Sequence, residues 1–260
     1  MAGPSRYQSL HNTTQPPSSQ PPENTAPMFY TAPRPLDRVR DAALRISRPQ
    51  NFRFAEKTNA IPLLAEEFPM AAAYYPIVFA AGPSPIPAAV VGIRNDQNLY
   101  IDKQGQWRNG GYLPAYVRRY PFILMDDPEQ KQFVLCLDDT SEMFRPDGEF
   151  PLFDGENPSE FTQSAMEFCA ALRQQGEATE AFTAALKEHD LLVPNDAQID
   201  LPDGSRLQLG GFLVIDPQKF DALPDNVYLD WRRKGWVGLV YAHLLSSHRW
   251  QSLVTLSTEG

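Results

Sequence analysis

The sequence predicts an α+β fold in which a mainly antiparallel sheet of hairpin-connected strands packs against an αα-hairpin and a C-terminal helix. Short apolar runs bounded by glycine, proline and polar turn residues fill the first half of the chain, as is typical of strands. Segments with helical periodicity follow in the second half, with one strand-like run among them. Because helices do not alternate with strands, we do not expect a doubly wound parallel sheet.

The N-terminal region has the composition of a disordered tail. Its first 35 residues contain eight prolines among many polar residues, and they lack the apolar segment of a signal peptide. Such a composition favours an extended, solvated backbone. We therefore expect residues 1–35 to form a disordered Pro-rich tail, residues 36–51 a basic lead-in segment, and residues 52–256 a single domain.

Apolar runs in the first half of the domain predict five strands. The polar residues 94–97 favour a hairpin between the second and third runs, and residues 126–128 favour a turn between the fourth and fifth. Residues 112–120 are expected to form a loop or a short helix. The predicted strands are residues 75–80, 88–93, 98–102, 121–125 and 132–137.

The αα-hairpin is predicted after an acidic segment at residues 138–160. Asn157 is a suitable N-cap, and Pro158 and Glu160 suit the first turn of a helix. Gly176 is expected to end this helix, and Thr179 to cap a second one. An apolar stripe marks the buried face of the first helix: Phe161, Ala165, Phe168, Cys169 and Leu172.

The remaining elements are a late strand over residues 206–216, a short helix or turn over residues 217–223, and a final helix that is clearest over residues 236–250.

Charge and cysteine content exclude several classes of function. The net charge is −9, and because residues 1–50 carry six arginines and three acidic residues, the body is strongly acidic. We therefore expect no nucleic-acid partner. Cys136 and Cys169 lie in apolar runs, as buried small hydrophobes do, and a disulfide between them is left open. Without a CxxC or Cys/His cluster, we expect no metal site.

Integral membrane proteins and cofactor-binding proteins are two further classes that no motif supports. No run approaches the roughly 18–20 apolar residues of a membrane span, so we expect no integral membrane segment. There is no P-loop and no GxGxxG motif, so we expect no cofactor. The expected location is the cytoplasm, and export without a cleaved signal is left open.

The main candidate binding residues are Trp107, Tyr116, Arg118, Arg119 and Tyr120. An arginine guanidinium suits a carboxylate or phosphate, and flanking aromatic rings can stack on a ligand. If the segment is extended, the two arginines point to opposite faces. One is then buried against a carboxylate of residues 138–160 or Asp216, while the other contacts a ligand. The alternative is that the aromatic side chains simply fill the core.

Residues typical of catalysis occur without a convincing pattern. His243 has Ser247 one helical turn further on, which would suit a nucleophile and base, but a histidine accommodated in the core is the alternative. No GxSxG elbow is present. The neighbouring carboxylates Glu66–Glu67 and Asp138–Asp139 are expected to point apart. We therefore assign no catalytic residue and keep His243 as a secondary site candidate.

Seven short motifs follow one another between Phe52 and Trp250. They are Ile61-Pro62-Leu63 with Glu67-Phe68, Tyr75-Pro76-Ile77-Val78-Phe79, Asn98-Leu99-Tyr100-Ile101-Asp102 with Gly105-Gln106-Trp107, Tyr116-Val117-Arg118-Arg119-Tyr120-Pro121-Phe122, Leu152-Phe153-Asp154, Gly211-Phe212 with Ile215-Asp216, and Tyr241-Ala242-His243-Leu244 with Ser246. In this order they resemble the SapC-like S-layer protein family. The resemblance implies a surface-layer connection through the family name, but no established activity and no catalytic residues.

Three functional hypotheses follow. The first is a non-enzymatic binding or accessory protein, linked to envelope or nutrient-uptake functions, that binds a polypeptide partner or a small ligand near residues 107–122. The second is an enzyme of unrecognised type with Arg118, Arg119 and His243 in one pocket. The third is a surface-layer component, which ranks last because the chain shows no internal repeat.

Overall fold

A computed structural model describes residues 26–127, 132–200 and 206–258. The predicted α+β class is confirmed, because antiparallel sheets and separate helices make up these residues. The expectations for residues 1–25 lie outside the described residues.

Every strand pairing in the described residues is antiparallel. The strands are β1 (Pro33–Pro35), β2 (Arg45–Ile46), β3 (Ala60–Pro62), β4 (Ile77–Ala80), β5 (Ile86–Val90), β6 (Phe122–Asp127), β7 (Gln132–Asp138), β8 (Phe150–Pro151), β9 (Phe153–Asp154), β10 (Asn157–Pro158), β11 (Leu192–Asp200) and β12 (Arg206–Ile215).

The helices are mostly in the second half of the chain, as predicted. They are α1 (Phe68–Ala71), α2 (Ala115–Arg118), α3 (Glu160–Glu188), α4 (Pro217–Asp221), α5 (Asp225–Arg233), α6 (Trp236–Ser246) and α7 (Trp250–Thr258). Single 3₁₀ turns occur at Arg53–Ala55, Ala65–Glu67, Arg108–Gly110 and Ser247–Arg249.

The larger sheet has five strands in the spatial order β11-β12-β4-β5-β3. The central strand β4 is apolar at Ile77, Val78 and Phe79, and all three side chains are buried, because both faces of this strand are covered. Helix α6 contacts β4 and β12 on one face, and the Ile77 N–H donates to the Ser246 hydroxyl at 3.0 Å. The main core therefore lies between this sheet and the helices.

A smaller sheet has its strands in the order β1-β7-β6. Its strand β1 lies within the residues that were predicted to form the disordered tail. Residues 26–35 pack on the body, which corrects the predicted boundary at residue 35. The Thr31 and Ala32 N–H groups each donate to the buried Asp138 carboxylate at 3.0 Å, and the Tyr30 hydroxyl donates to the Phe122 carbonyl at 2.6 Å. These long-range bonds, together with the buried ring of Tyr30 and the packing of Phe29 on the core, hold the proline-rich segment in place.

A single helix, α3, replaces the predicted αα-hairpin. It begins after Ser159, whose side chain accepts from the Thr162 N–H, whereas Asn157 and Pro158 form β10. The helix continues through Gly176, since one glycine costs only about 1 kcal/mol relative to alanine and good helix formers surround it. The Thr179 hydroxyl caps nothing; it donates to the Gln175 carbonyl within α3 at 2.8 Å.

Two further expectations about strands are corrected. Residues 98–102 form turns rather than a third hairpin strand, because the Asn98 carboxamide accepts from the Tyr100 N–H at 3.0 Å and donates to the Ala55 carbonyl at 3.1 Å. Strand β5 pairs instead with β4 and β3. Strand β11, the partner of β12, was not among the predicted strands.

The predicted final helix is divided into α6, a 3₁₀ turn and α7, and α5 precedes it. Gly235 separates α5 from α6 with φ +77°, a left-handed conformation that glycine adopts readily. In the part of the chain that the structure describes, no helix has both the length and the apolar character needed to cross a membrane.

Candidate functional site

Arg118 and Arg119 lie at the end of the single-turn helix α2. Pro114 precedes this turn, and its carbonyl accepts from the Val117 N–H at 2.9 Å and the Arg118 N–H at 3.0 Å. The opposite orientation of the two arginines was predicted for an extended segment, and the segment is helical instead. Arg118 is exposed, whereas Arg119 is half-buried.

Arg119 is surrounded by aromatic rings rather than by the expected carboxylate. Its Cζ lies 3.7 Å from the centroid of the Tyr116 ring and 5.7 Å from that of Tyr30. The Nε atom is buried without a hydrogen-bond partner, and within the described residues no carboxylate pairs with this side chain. Stacking on tyrosine stabilises a guanidinium without neutralising it. Among the described residues, the positive charge of Arg119 is therefore not neutralised by a carboxylate, although its side chain is hydrogen-bonded to Tyr30.

The thiol beside Arg119 is not a nucleophile. Burial raises the pKa of Cys169 to about 11, although the positive charge of Arg119 opposes the rise. Because the thiolate is the reactive form, this cysteine is inert at neutral pH. Cys136 is also a free, buried thiol, so the disulfide left open by the sequence is not formed.

A cavity of about 980 Å³, here called the α3 groove, runs along α3 opposite the start of β5 and the end of β3. Arg119 and Cys169 line one end. Lys187 lines the other, where its Nζ donates to the Pro83 carbonyl at 2.7 Å. Near the middle lies Gly176, where an added Cβ would meet no atom within 4 Å. The apolar wall includes Pro62, Leu63, Pro85, Pro87, Leu124 and Leu172.

Glu67 is a buried carboxylate in the wall of the α3 groove. One oxygen accepts from the Tyr112 hydroxyl and the Ala115 N–H, both at 2.8 Å, and the other accepts from the Leu64 N–H at 2.8 Å. These bonds fix the start of α2, and thereby the position of Arg119. Sequence reasoning missed this role, although Glu67 lies three residues after Leu64, which is the spacing of a capping box. Its neighbour Glu66 is exposed.

A second cavity of about 370 Å³ shares Arg119 and Cys169 with the α3 groove. Arg118 lines it with its Cζ 5.3 Å from the centroid of the Phe168 ring, and its Nε donates to the Leu113 carbonyl at 3.0 Å. The other aromatic lining residues are Phe52, Phe54, Tyr120, Phe122 and Phe161. Arg119 therefore forms part of the wall between the two cavities.

With this geometry established, comparison with known proteins identifies the family. The SapC family model matches residues 36–253, which is most of the chain. The chain belongs to the SapC family. No curated protein and no solved structure matches it. The resemblance carried by the seven motifs is thereby confirmed, and the family match contains both arginines and the whole of α3.

In this SapC-family chain the candidate binding residue Trp107 serves packing, whereas Tyr120 both packs and lines the second cavity. The Trp107 Nε1 donates to the Tyr75 hydroxyl at 3.0 Å, and Trp107 lines neither cavity. Tyr120 stacks on Phe54 with ring centroids 4.0 Å apart and donates to Asp138 at 3.3 Å. Burial raises the pKa of Tyr120 to about 12. The aromatic residues therefore divide between core packing and the cavity walls.

His243 is remote from both arginines in the SapC-family fold. It is buried in α6 with its ring centroid 5.2 Å from that of Phe79, and neither ring nitrogen has a hydrogen-bond partner among the described residues. Burial lowers its pKa to about 4. The Ser247 hydroxyl donates instead to the Leu244 carbonyl at 2.8 Å. His243 lines neither cavity, so it forms no common site with Arg119.

Metal ligation has no support in the described residues of the SapC-family chain, where no three His, Cys, Asp or Glu side chains converge on one point.

Proposed function

We propose that this SapC-family protein is a non-catalytic binding protein whose ligand lies in the α3 groove. The observation that carries the proposal is a groove of about 980 Å³ with apolar walls and an unpaired, half-buried cation at one end. Ligand sites in proteins are typically concave, mostly apolar, and roughly 300–1,000 Å³ in volume, with a few polar groups that orient the ligand. The α3 groove has these properties.

The reactive groups in the wall of the groove favour binding over catalysis. The Cys169 thiol is protonated at neutral pH, and the Glu67 carboxylate already accepts three hydrogen bonds. His243 lies outside the groove, and no histidine lines it among the residues that the structure describes. A nucleophile and a base within hydrogen-bond distance are the usual signature of covalent catalysis, and these residues do not provide them.

The accessory role, its link to envelope or nutrient-uptake functions and the cytoplasmic location are part of this proposal. Fractionation of the native cell tests the location directly. Recovery of the protein in the soluble cytoplasmic fraction is the expected result, and recovery with the surface layer supports the surface-layer alternative instead.

The binding site is tested by blocking the groove. In Gly176→Leu the new side chain projects into open space on α3 and fills the groove, and leucine also raises helix propensity. Gly238→Leu is the matched control, because Gly238 is an exposed glycine of α6 with equally open surroundings outside the groove.

Native mass spectrometry of protein purified from its own cells measures the bound ligand. We expect an added mass on the wild type and on Gly238→Leu, and none on Gly176→Leu. Wild-type protein that carries no added mass, or an equal added mass on all three proteins, contradicts the proposal.

A further inference from the structure

We infer that the ligand of the α3 groove is a long-chain carboxylate, with its carboxylate group on Arg119 and its alkyl chain along α3. The inference rests on the proposed function and specifies the ligand of the same site. It is supported by the charge at one end of the groove, by the length and apolar character of the wall, and by the hydrogen bonds that the threonine hydroxyls of the wall already make.

The charge at the Arg119 end favours a carboxylate. Tyr116 covers a face of the guanidinium, which leaves the terminal edge of the group for a ligand, apart from the buried Nε and the hydrogen bond to the Tyr30 side chain. A carboxylate matches that edge with two parallel hydrogen bonds. A phosphate monoester carries about −1.5 to −2 charges at neutral pH, which exceeds the single charge of Arg119. The other arginine of the wall, Arg173, is paired with Glu177, and Glu67 adds a negative charge to the same wall. A monoanion is therefore the better match.

The opposite end of the groove is less suited to an anion. Lys187 is engaged with the Pro83 carbonyl, and the exposed carboxylates of Glu180 and Glu188 lie beside it in the groove wall. An anionic group there would face two like charges. The ligand is therefore oriented with its head at Arg119.

The wall between the two ends suits an alkyl chain. From Cys169 to Lys187, α3 extends for about 27 Å at 1.5 Å per residue. Leu172 and the proline residues opposite give apolar contacts, and Gly176 leaves room at the middle of the groove. Burial of each CH₂ group of a ligand contributes about 0.8 kcal/mol, so chain length itself supplies affinity in a groove of this kind.

A polypeptide fits the groove less well than an alkyl chain, because the threonine hydroxyls along the wall already have partners. The Thr179 hydroxyl donates to the Gln175 carbonyl and accepts from the Ala65 N–H, and the Thr183 hydroxyl donates to the Glu180 carbonyl. An extended peptide buried here would leave its own N–H and C=O groups unpaired, which is costly. An alkyl chain has no such groups.

The test is a titration of the delipidated protein with palmitate, followed by isothermal calorimetry. We expect Arg119→Met to weaken binding on the order of 10- to 100-fold, the usual effect of losing a hydrogen-bonded charge. Lys57→Met removes an exposed cation outside both cavities and is expected to bind as the wild type does. Gly176→Leu is expected to abolish binding, and Gly238→Leu to retain it. Circular dichroism confirms that each variant is folded.

Analogues of the same chain length test the head group. Hexadecanol and hexadecyl phosphate are both expected to bind the wild type more weakly than palmitate, and Arg119→Met is expected to lose this preference. If Arg119→Met does not fold, Arg119→Lys, which keeps the charge but not the planar group, is expected to show a reduced preference. Equal binding of the alcohol, or tighter binding of the phosphate, overturns the inference.

The two proposals fail in different ways. If palmitate does not bind but native protein carries a mass that Gly176→Leu lacks, the carboxylate inference is wrong and the binding function stands. If palmitate binds equally to Gly176→Leu and the wild type, the groove is not the binding site, and both are wrong.

Discussion

Acidification should destabilise the protein through His243. The imidazole is buried in α6 and its pKa is lowered from about 6.5 to about 4, because burial disfavours the charged form. Between these two pH values the unfolded chain binds a proton that the folded protein does not bind. The free energy of unfolding therefore falls as the pH falls from about 6.5 to about 4, by about 3 kcal/mol in total.

The perturbation that isolates this effect is His243→Leu. At about pH 5 the buried histidine lowers the free energy of unfolding of the wild type by about 2 kcal/mol relative to neutral pH. This pH lies above the ordinary pKa values of carboxylates, so their titration contributes little to the change. The leucine variant lacks that contribution. It is also expected to be more stable than the wild type at neutral pH, by about 1–3 kcal/mol, because both ring nitrogens are buried without partners.

Urea denaturation of both proteins at about pH 7.5 and about pH 5 measures the difference. We expect the stability advantage of His243→Leu to grow by about 2 kcal/mol on acidification. His248→Leu makes the same chemical change at an exposed position nearby and serves as the control. An equal loss of stability on acidification in the wild type and in His243→Leu would refute the reasoning.

Three further substitutions test the contacts around the site. Glu67→Gln places an amide donor against backbone donors and should cost about 1–3 kcal/mol in denaturation experiments, whereas the exposed Glu66→Gln should cost little. Equal melting temperatures would contradict the buried network. Asp138→Asn should cost a similar amount and expose residues 26–35 to protease, unlike Asp147→Asn at an exposed position; protection of the segment in both variants would count against this. Arg118→Ala should lose less than about 1 kcal/mol and retain the ligand mass, and loss of that mass would make Arg118 a binding residue.

The strands were predictable where the pattern is local. Val78 and Phe79 lie in a short apolar run that a covered central strand requires, and β6 and β7 are separated in the sequence by a short stretch of proline and polar residues. Residues 98–102 look similar but form turns, because the side chain of Asn98 competes with a strand for backbone hydrogen bonds. The Asn98 side chain also donates to the Ala55 carbonyl, which is distant in the sequence, so a local pattern does not reveal this arrangement.

The long helix could not be predicted for a different reason. Gly176 is a plausible helix end from the sequence, and only the tertiary contacts of α3 decide that the helix continues. Its surroundings are open, so nothing forces a break, and Thr179 is tied to the Ala65 N–H from outside the helix. The α3 groove is a product of this continuity.

The candidate site was predicted in part. The flanking aromatic residues identify Arg118 and Arg119 as special, but their sequence does not reveal that Tyr116 covers one of them in place of a carboxylate. The groove partner α3 lies about 50 residues further along the chain, and no local pattern connects it to Arg119. Glu67, which positions α2, has its partners at a similar distance.

Strand β1 also has a consequence for self-association. It covers one edge of β7, and its Pro33 and Pro35 offer no N–H to a further strand, so the sheet ends there without a template for another chain. A shortened protein that begins at residue 36, where the family match starts, keeps the matched region but leaves the edge of β7 open beside the exposed Phe133. Such a protein is expected to pair edge to edge with its own copies and to aggregate, whereas one that begins at residue 26 keeps the edge closed.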